Sequence, residues 1–194
     1  MNQLVAALQQ AAADVTRFGR AWALVGGFAV SARAQPRFTR DIDIAVAVGD
    51  DTAAEVLVRD LMGVGYQLFA TIEHDVGRLA TVRLQRHIAG VGIVVDLLFA
   101  SSGIEQEIVE SAETVEISPG MKFPVATVGH LIALKLLARD DESRPQDLAD
   151  LRALVNVATP DDLRAADAAV RLIARRGFNR DRDLVSSLNA LVAV

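Results

Sequence analysis

Cysteine is absent from this 194-residue chain. That excludes a disulfide framework, a thiolate-ligated zinc site and a thiol nucleophile. Histidine is scarce: His74, His87 and His130 lie far apart and form no HxxxH or HExxH pair, so an imidazole zinc centre is not expected. Aromatic residues make up 5% of the chain, which leaves an aliphatic core. No apolar run approaches the ~18 residues that a membrane helix requires. The longest, IAGVGIVVDLLFA, is interrupted by Asp96. The N-terminal stretch MNQLVAALQQAAADV lacks the basic and apolar regions of a secretory leader. A soluble, cytoplasmic protein with no membrane partner is expected. There is no internal repeat and no low-complexity linker.

What is present suits a folded globular protein. The chain is 52% hydrophobic and 23% charged, enough to bury a core. Its net charge of −5 argues against a protein that coats nucleic acid. The charge is uneven, however. Residues 1–40 hold five Arg and one Asp, whereas the remainder holds 15 basic and 24 acidic residues. The basic end runs directly into an acidic pair, Asp41 and Asp43.

Apolar periodicity predicts the elements. Residues 2–18 read as an amphipathic helix, AWALV as a strand, FAVSARAQ as a helix stopped by Pro36, and DIDIAVAV as a strand. DTAAEVLVRDLMGVG reads as a helix capped by Asp51 or Thr52. YQLFATI and RLATVRLQR alternate as half-buried strands, and GIVVDLLFA reads as a buried one. A short helix (GIEQEIVESA) and a short strand (TVEIS) follow. From Thr127 the texture becomes helical, with starts at Thr127, Pro145 and Thr159-Pro160 and a last helix in DRDLVSSLNALVAV. The expectation is an α/β (α+β) fold: a mixed-sheet lobe over residues 1–126 and a helical lobe over 127–194.

The chemistry concentrates in GGFAVSARAQPRFTRDIDIAV. Asp41 and Asp43 are two apart on a strand and share a face, while Ile42 and Ile44 point the other way. Paired carboxylates repel, and a divalent cation offsets the repulsion. Oxygen ligands suit Mg²⁺, which takes one or two carboxylates plus substrate phosphates. Asp96 interrupts the apolar run VVDLLF, so it needs a cation or hydrogen-bond partners. Three carboxylates on neighbouring strands would suffice for two metal ions at a phosphoryl centre. Gly26-Gly27 lies between a strand and a helix, where backbone N–H groups can cradle a phosphate. Arg33, Arg37 and Arg40 lie between that turn and the acids. Thr39 falls on the same face as Asp41 and Asp43, where it either contacts a phosphate or serves as an ordinary β-former. Its phosphorylation would set about −1.5 to −2 charge beside two carboxylates.

Downstream, Lys135 sits within the apolar helix HLIALKLLA, one of only two lysines among 20 basic residues. It reads either as a snorkelling surface residue or as a point charge for a triphosphate. Asp147 is compatible with a favourable first-turn charge. Asp150, a turn further on, is expected to orient Lys135. Glu73, His74 and Asp75 read as a solvated loop.

These residues resemble a known family. GGFAVSARAQPRFTRDIDI is similar to nucleotidyltransferases of the DNA polymerase β-like superfamily, and more narrowly to the AbiEii/MenT-type toxins, whose pattern is GG, a short helix and R-x-[ST]-x-D-[IL]-D-[IL]. The superfamily's usual Gly-Ser is Gly26-Gly27 here, so the serine hydroxyl is missing. Asp96 matches the third acid. KLLARDDESRPQDLADL resembles the family's downstream K-x-x-A-x-x-R-x-x-x-D-x-x-D-L: Lys135 matches the lysine, Asp147 and Asp150 the acids, and Arg139 sits where a basic residue is expected, with the alanine at Ala138 and a spacing that is not identical. The resemblance covers residues 20 to about 155. It implies a Mg²⁺-dependent nucleotidyltransferase that moves NMP from an NTP to an acceptor hydroxyl. Asp41, Asp43 and Asp96 would be its acids, Gly26, Gly27, Arg37, Thr39 and Lys135 its nucleotide contacts, and Asp150 a supporting residue. It further implies an RNA acceptor such as tRNA and a cognate antitoxin as partner. The alternatives are an antibiotic-modifying nucleotidyltransferase, with residues 140–150 as acidic walls, and a non-catalytic nucleotide-binding module.

Overall fold

In the computed structural model, residues 3–74, 77–88, 91–140 and 145–193 are described. Asp75, and the acidic stretch within 141–144, lie outside them. One seven-stranded mixed sheet has the order β3-β4-β5-β2-β1-β7-β6. Its strands are β1 (Trp22–Val25), β2 (Asp41–Val46), β3 (Gln67–Glu73), β4 (Leu79–Ile88), β5 (Val91–Leu98), β6 (Glu113–Ser118) and β7 (Met121–Val125). Among the described residues the helices are α1 (Gln3–Arg17), α2 (Gly26–Arg33), α3 (Asp51–Gly63), α4 (Glu105–Glu110), α5 (Val128–Ala138), α6 (Pro145–Val157), α7 (Pro160–Arg175) and α8 (Leu184–Val192). The mixed α/β fold expected from the sequence is what forms.

Alternation along the central strands separates two faces. Ile42 and Ile44 of β2, with Val95 and Leu97 of β5, are buried in the core. On β4, Arg86 shares the face of buried Leu84 and reaches across to Asp14 of α1 at 2.6 Å. Tyr66 donates to the same carboxylate at 3.0 Å, and Arg86 lies 4.9 Å over the Tyr66 ring. These contacts fix α1 on the apolar face and leave the other face to the acids. The helices after Thr127 join the same aliphatic core through Leu131, Ile132, Leu151, Leu154, Val170 and Ile173.

Several start signals hold. Thr127 caps α5 by accepting from the His130 N–H, and Thr159 and Asp162 form a reciprocal capping box on α7, a feature contributing about 1 kcal/mol. The α3 cap differs from expectation: Asp50 accepts from the Ala53 N–H, one residue earlier. Asp51 is instead drawn to Arg78 Nε (2.9 Å) and the Leu79 N–H (3.1 Å). Strand β7 has no counterpart in the sequence reading, because Pro124 and Lys122 disguise it. The proline is tolerated because β7 meets β1 at a single register pair, Leu24 with Val125, just past it. Strand β3 alternates in sequence yet is exposed along most of its length, with Leu68, Phe69 and Ile72 solvent-facing. It is a sheet edge with two register shifts, so neither face is covered.

Candidate active site

Strand register builds the acidic row. Parallel pairing sets Asp43 of β2 opposite Asp96 of β5, and antiparallel pairing sets Arg83 of β4 opposite Asp96. Asp41 lies two residues before Asp43 on the same face of β2. The structure brings the three acids together on neighbouring strands and adds Arg83, which the sequence did not single out. That guanidinium grips Asp96 at both ends, Nε to Oδ1 at 2.8 Å and Nη2 to Oδ2 at 2.6 Å. Its Nη2 also stands 3.9 Å from Asp41 Oδ2. The pairing with Asp96 holds the arginine's pKa above even its usual high value. The missed signal was a hairpin: Arg83 and Asp96 are each five residues from the closing pair Ile88 and Val91.

Asp43 is the acid under most strain. Burial pushes its pKa from 3.8 up to about 6, and the charges of Asp96 and Asp41 push the same way. Lys135 and a hydrogen bond from the Gly27 N–H oppose them. The Gly26-Gly27 turn is shaped around this carboxylate. Gly26 has φ +62°, and a Cβ there would stand 2.0 Å from Asp43 Oδ2. A Cβ on Gly27 would stand 2.7 Å from Thr39 Oγ1 and 2.8 Å from Arg37 Nη2. So the turn, Thr39, Arg37 and Asp43 converge, as the sequence led one to expect. The Gly27 N–H, expected to face a phosphate, is directed at Asp43. Gly26→Ala is expected to abolish activity by displacing Asp43 and to cost about 1–3 kcal/mol through its left-handed backbone. Wild-type turnover by a folded Gly26→Ala protein would remove this turn from the site.

The second half of the site is an ion-pair chain. Lys135 Nζ lies 2.7 Å from Asp147 Oδ1 and 2.8 Å from Asp150 Oδ2. Arg37 reaches the same Asp150, Nε to Oδ1 at 2.7 Å and Nη2 to Oδ2 at 2.9 Å. Burial would raise the Asp150 pKa, but the hydrogen bonds from Lys135 and Arg37 outweigh it and hold the group below its ordinary value. Asp147 and Asp150 are both buried, so Asp147 is far more than a first-turn charge. Lys135 is neither a snorkelling surface residue nor a free cation, since it bridges two carboxylates. Among the described residues, Asp147 Oδ2 is buried without a hydrogen-bond partner. The acidic wall sought in residues 140–150 is not offered by these two acids, which are spent on Lys135 and Arg37.

The other basic residues divide. Arg33 turns away from the acids to the Val125 and Ala126 carbonyls and Glu113. Arg40 lies 5.7 Å over the ring of Phe38, which is 79% exposed. Phe38 and Arg40 line a groove of about 650 Å³ with Arg37, Thr39, Phe28 and Ile93. His74 is not simply a solvated loop residue, for its ring packs 4.2 Å from that of Phe178.

A family model described as "Nucleotidyl transferase AbiEii toxin, Type IV TA system" matches residues 8–192. The chain belongs to the AbiEii nucleotidyltransferase family. It is therefore a nucleotidyltransferase, an enzyme of NMP transfer. The family match extends through α7 and α8, well past the stretch legible in the motifs. Among solved structures, the chain is similar to an antigenic nucleotidyltransferase-like protein from Paracoccidioides brasiliensis. The two share 17% identity and a TM-score of 0.60 over 97% of this chain and 93% of that one. It is also similar to ANT(2")-Ia in complex with adenylyl-2"-tobramycin, at 14% identity and a TM-score of 0.56 over 89% of this chain and 97% of that one. At such identities these likenesses speak for the fold. No curated protein matches the chain in sequence. Among the described residues no helix is long and apolar enough to cross a membrane.

Proposed function

We propose that this AbiEii-family enzyme is the toxin of a toxin–antitoxin pair and transfers NMP from an NTP to a hydroxyl of RNA, such as a tRNA end, with Mg²⁺ as cofactor. The observation that carries the catalytic part is Asp43: a carboxylate pressed into the Gly26 turn, beside Asp41 and Asp96, with its pKa pushed up to about 6. A half-buried anion among anions favours a cation. The all-oxygen donors Asp41 and Asp43 fit a hard divalent ion that takes its remaining ligands from phosphates and water. Among the described residues no group of three or more ligands stands assembled, so phosphates and water would have to complete the shell around Asp41 and Asp43. Bound there, Mg²⁺ would offset the charge of the triphosphate and of the departing pyrophosphate.

The chain's own groups do the rest. The turn at Gly26-Gly27 and the hydroxyl of Thr39 border the phosphates, with Arg37 beside them. Lys135 lies near enough to Asp43 to lower its pKa and contributes positive potential there. The acceptor hydroxyl attacks the α-phosphorus and loses its proton to solvent, and pyrophosphate leaves. The exposed Phe38 ring with Arg40 above it suits a nucleobase by stacking, which favours an RNA acceptor over a small drug. Four labelled NTPs, each with total RNA or with an aminoglycoside or lincosamide in the presence of Mg²⁺, test the reading. Label in RNA is expected; label only in the drug would refute the RNA acceptor. The antitoxin acts either by covering the site or by modifying Thr39. Thr39→Glu should lose Mg–NTP binding at least about tenfold, whereas Thr39→Val should retain it. Normal nucleotide affinity in Thr39→Glu would show that charge at this position is harmless.

A further inference from the structure

Resting on the reading of Asp41 and Asp43 as cation ligands, we infer that this enzyme holds a single divalent cation, and that Arg83, locked on Asp96, fills the place a second one would take. A two-ion centre needs carboxylates from neighbouring strands with oxygens to spare. The row across the sheet runs Arg83, Asp96, Asp43, in register on β4, β5 and β2. Asp96 is buried, and each of its oxygens receives a short charge-assisted hydrogen bond from the one guanidinium. Arginine does not give up its proton, so this positive charge is permanent. A cation approaching Asp96 meets that charge at contact distance and must break a bidentate pair to bind.

Arg83 is also placed to act on the other acids. Its Nη2 stands 3.9 Å from Asp41 Oδ2, and the side chain is 40% exposed. The guanidinium therefore borders the cation-binding pair on one side, as Lys135 does from the side of the helices. Five carboxylates of the site (Asp41, Asp43, Asp96, Asp147 and Asp150) face three fixed cations (Arg37, Arg83 and Lys135). Two negative charges are left over on the protein before the triphosphate adds its own. Asp96 is then a positioning residue for Arg83 rather than a ligand or a base.

The test counts ions rather than turnover. Mn²⁺ is titrated into the full-length protein with a non-hydrolysable α,β-methylene NTP, and bound ion is read by electron paramagnetic resonance. The spin–spin broadening of a close ion pair is monitored in the same spectra. Wild type is expected to hold a single Mn²⁺ per protein–nucleotide complex, counting the ion that the nucleotide brings, without that broadening. Arg83→Gln is expected to bind a second, coupled Mn²⁺ at the vacated Asp96. Arg83→Lys keeps the charge but not the two-pronged grip, and should stay at one. Two coupled ions in wild type would overturn the inference, as would a folded Arg83→Gln protein that still binds one. Binding of no ion by wild type would instead overturn the reading of Asp41 and Asp43. Because the wild-type count decides by itself, the inference survives or falls even if Arg83→Gln does not fold.

Discussion

Asp43→Asn should abolish nucleotidyl transfer while making the protein more stable at neutral pH. Both halves come from one cause. In the fold the carboxylate is half-buried and loses solvation beside Asp96 and Asp41, and its pKa rises from 3.8 to about 6. Above pH 6 the folded protein carries an ionised group that it holds less well than the unfolded chain does. As pH falls through about 6 the folded form takes up a proton first and gains stability. The gain is complete below the unfolded value near 3.8. Two pKa units correspond to about 3 kcal/mol, an upper bound for this one group. Asn removes the charge, so Asp43→Asn should melt higher than wild type at pH 7 and lack its acid-side gain between pH 7 and 5. Activity should fall by about 10³-fold, the scale of a lost charge-handling group. Wild-type activity should itself decline below about pH 6 as Asp43 protonates, and Mg²⁺ should move that decline to lower pH. Melting curves at several pH values, with and without Mg²⁺, check the sign. A variant less stable than wild type at pH 7 would mean that Asp43 is well served by its surroundings.

The same residue marks how far the sequence could be read. That Asp41, Asp43 and Asp96 share a face follows from strand period two and from a carboxylate inside an apolar run, and both are local signals. The Gly26-Gly27 turn was legible as a backbone needing close approach, and the approaching group turns out to be Asp43 itself. What stayed hidden depends on pairing between distant segments. Arg83 looked like one polar residue in an alternating strand, and only the β4–β5 register makes it the partner of Asp96. Arg37 looked like a phosphate contact, and only the docking of α6 onto the loop after α2 turns it onto Asp150, 113 residues away. Strand β7 escaped because it is only five residues long and Pro124 argues against a strand, while its place between β1 and β6 is a tertiary fact. Local pattern placed the acids, but long-range register chose their partners.

Lys135→Met should therefore cost stability first, in contrast to a lysine that merely reaches for a triphosphate. Methionine keeps the stem's packing within α5 and removes the charge. It leaves Asp147 without its cation and Asp150 with Arg37 alone, both buried. Removing one member of a buried ion pair costs about 3–5 kcal/mol, because an uncompensated charge remains. For a chain of this size that is a fall of roughly 10 °C in Tm. The double variant Lys135→Met, Asp147→Leu removes the stranded charge, including the unpartnered Oδ2 of Asp147. It should recover most of the lost stability, since apolar replacement of both partners of a buried pair is often neutral. Catalysis separates the two functions of the lysine. The double variant should remain well folded yet bind Mg–NTP weakly, because the positive charge that lowers the Asp43 pKa is gone. Its activity should also lose its acid-side limb at a higher pH than wild type. Thermal melts of the two single variants and the double variant form a cycle that measures the coupling. If Lys135→Met melts within a degree or two of wild type, the ion-pair chain is not what holds α5 to α6. If the double variant binds nucleotide normally, Lys135 serves the fold alone.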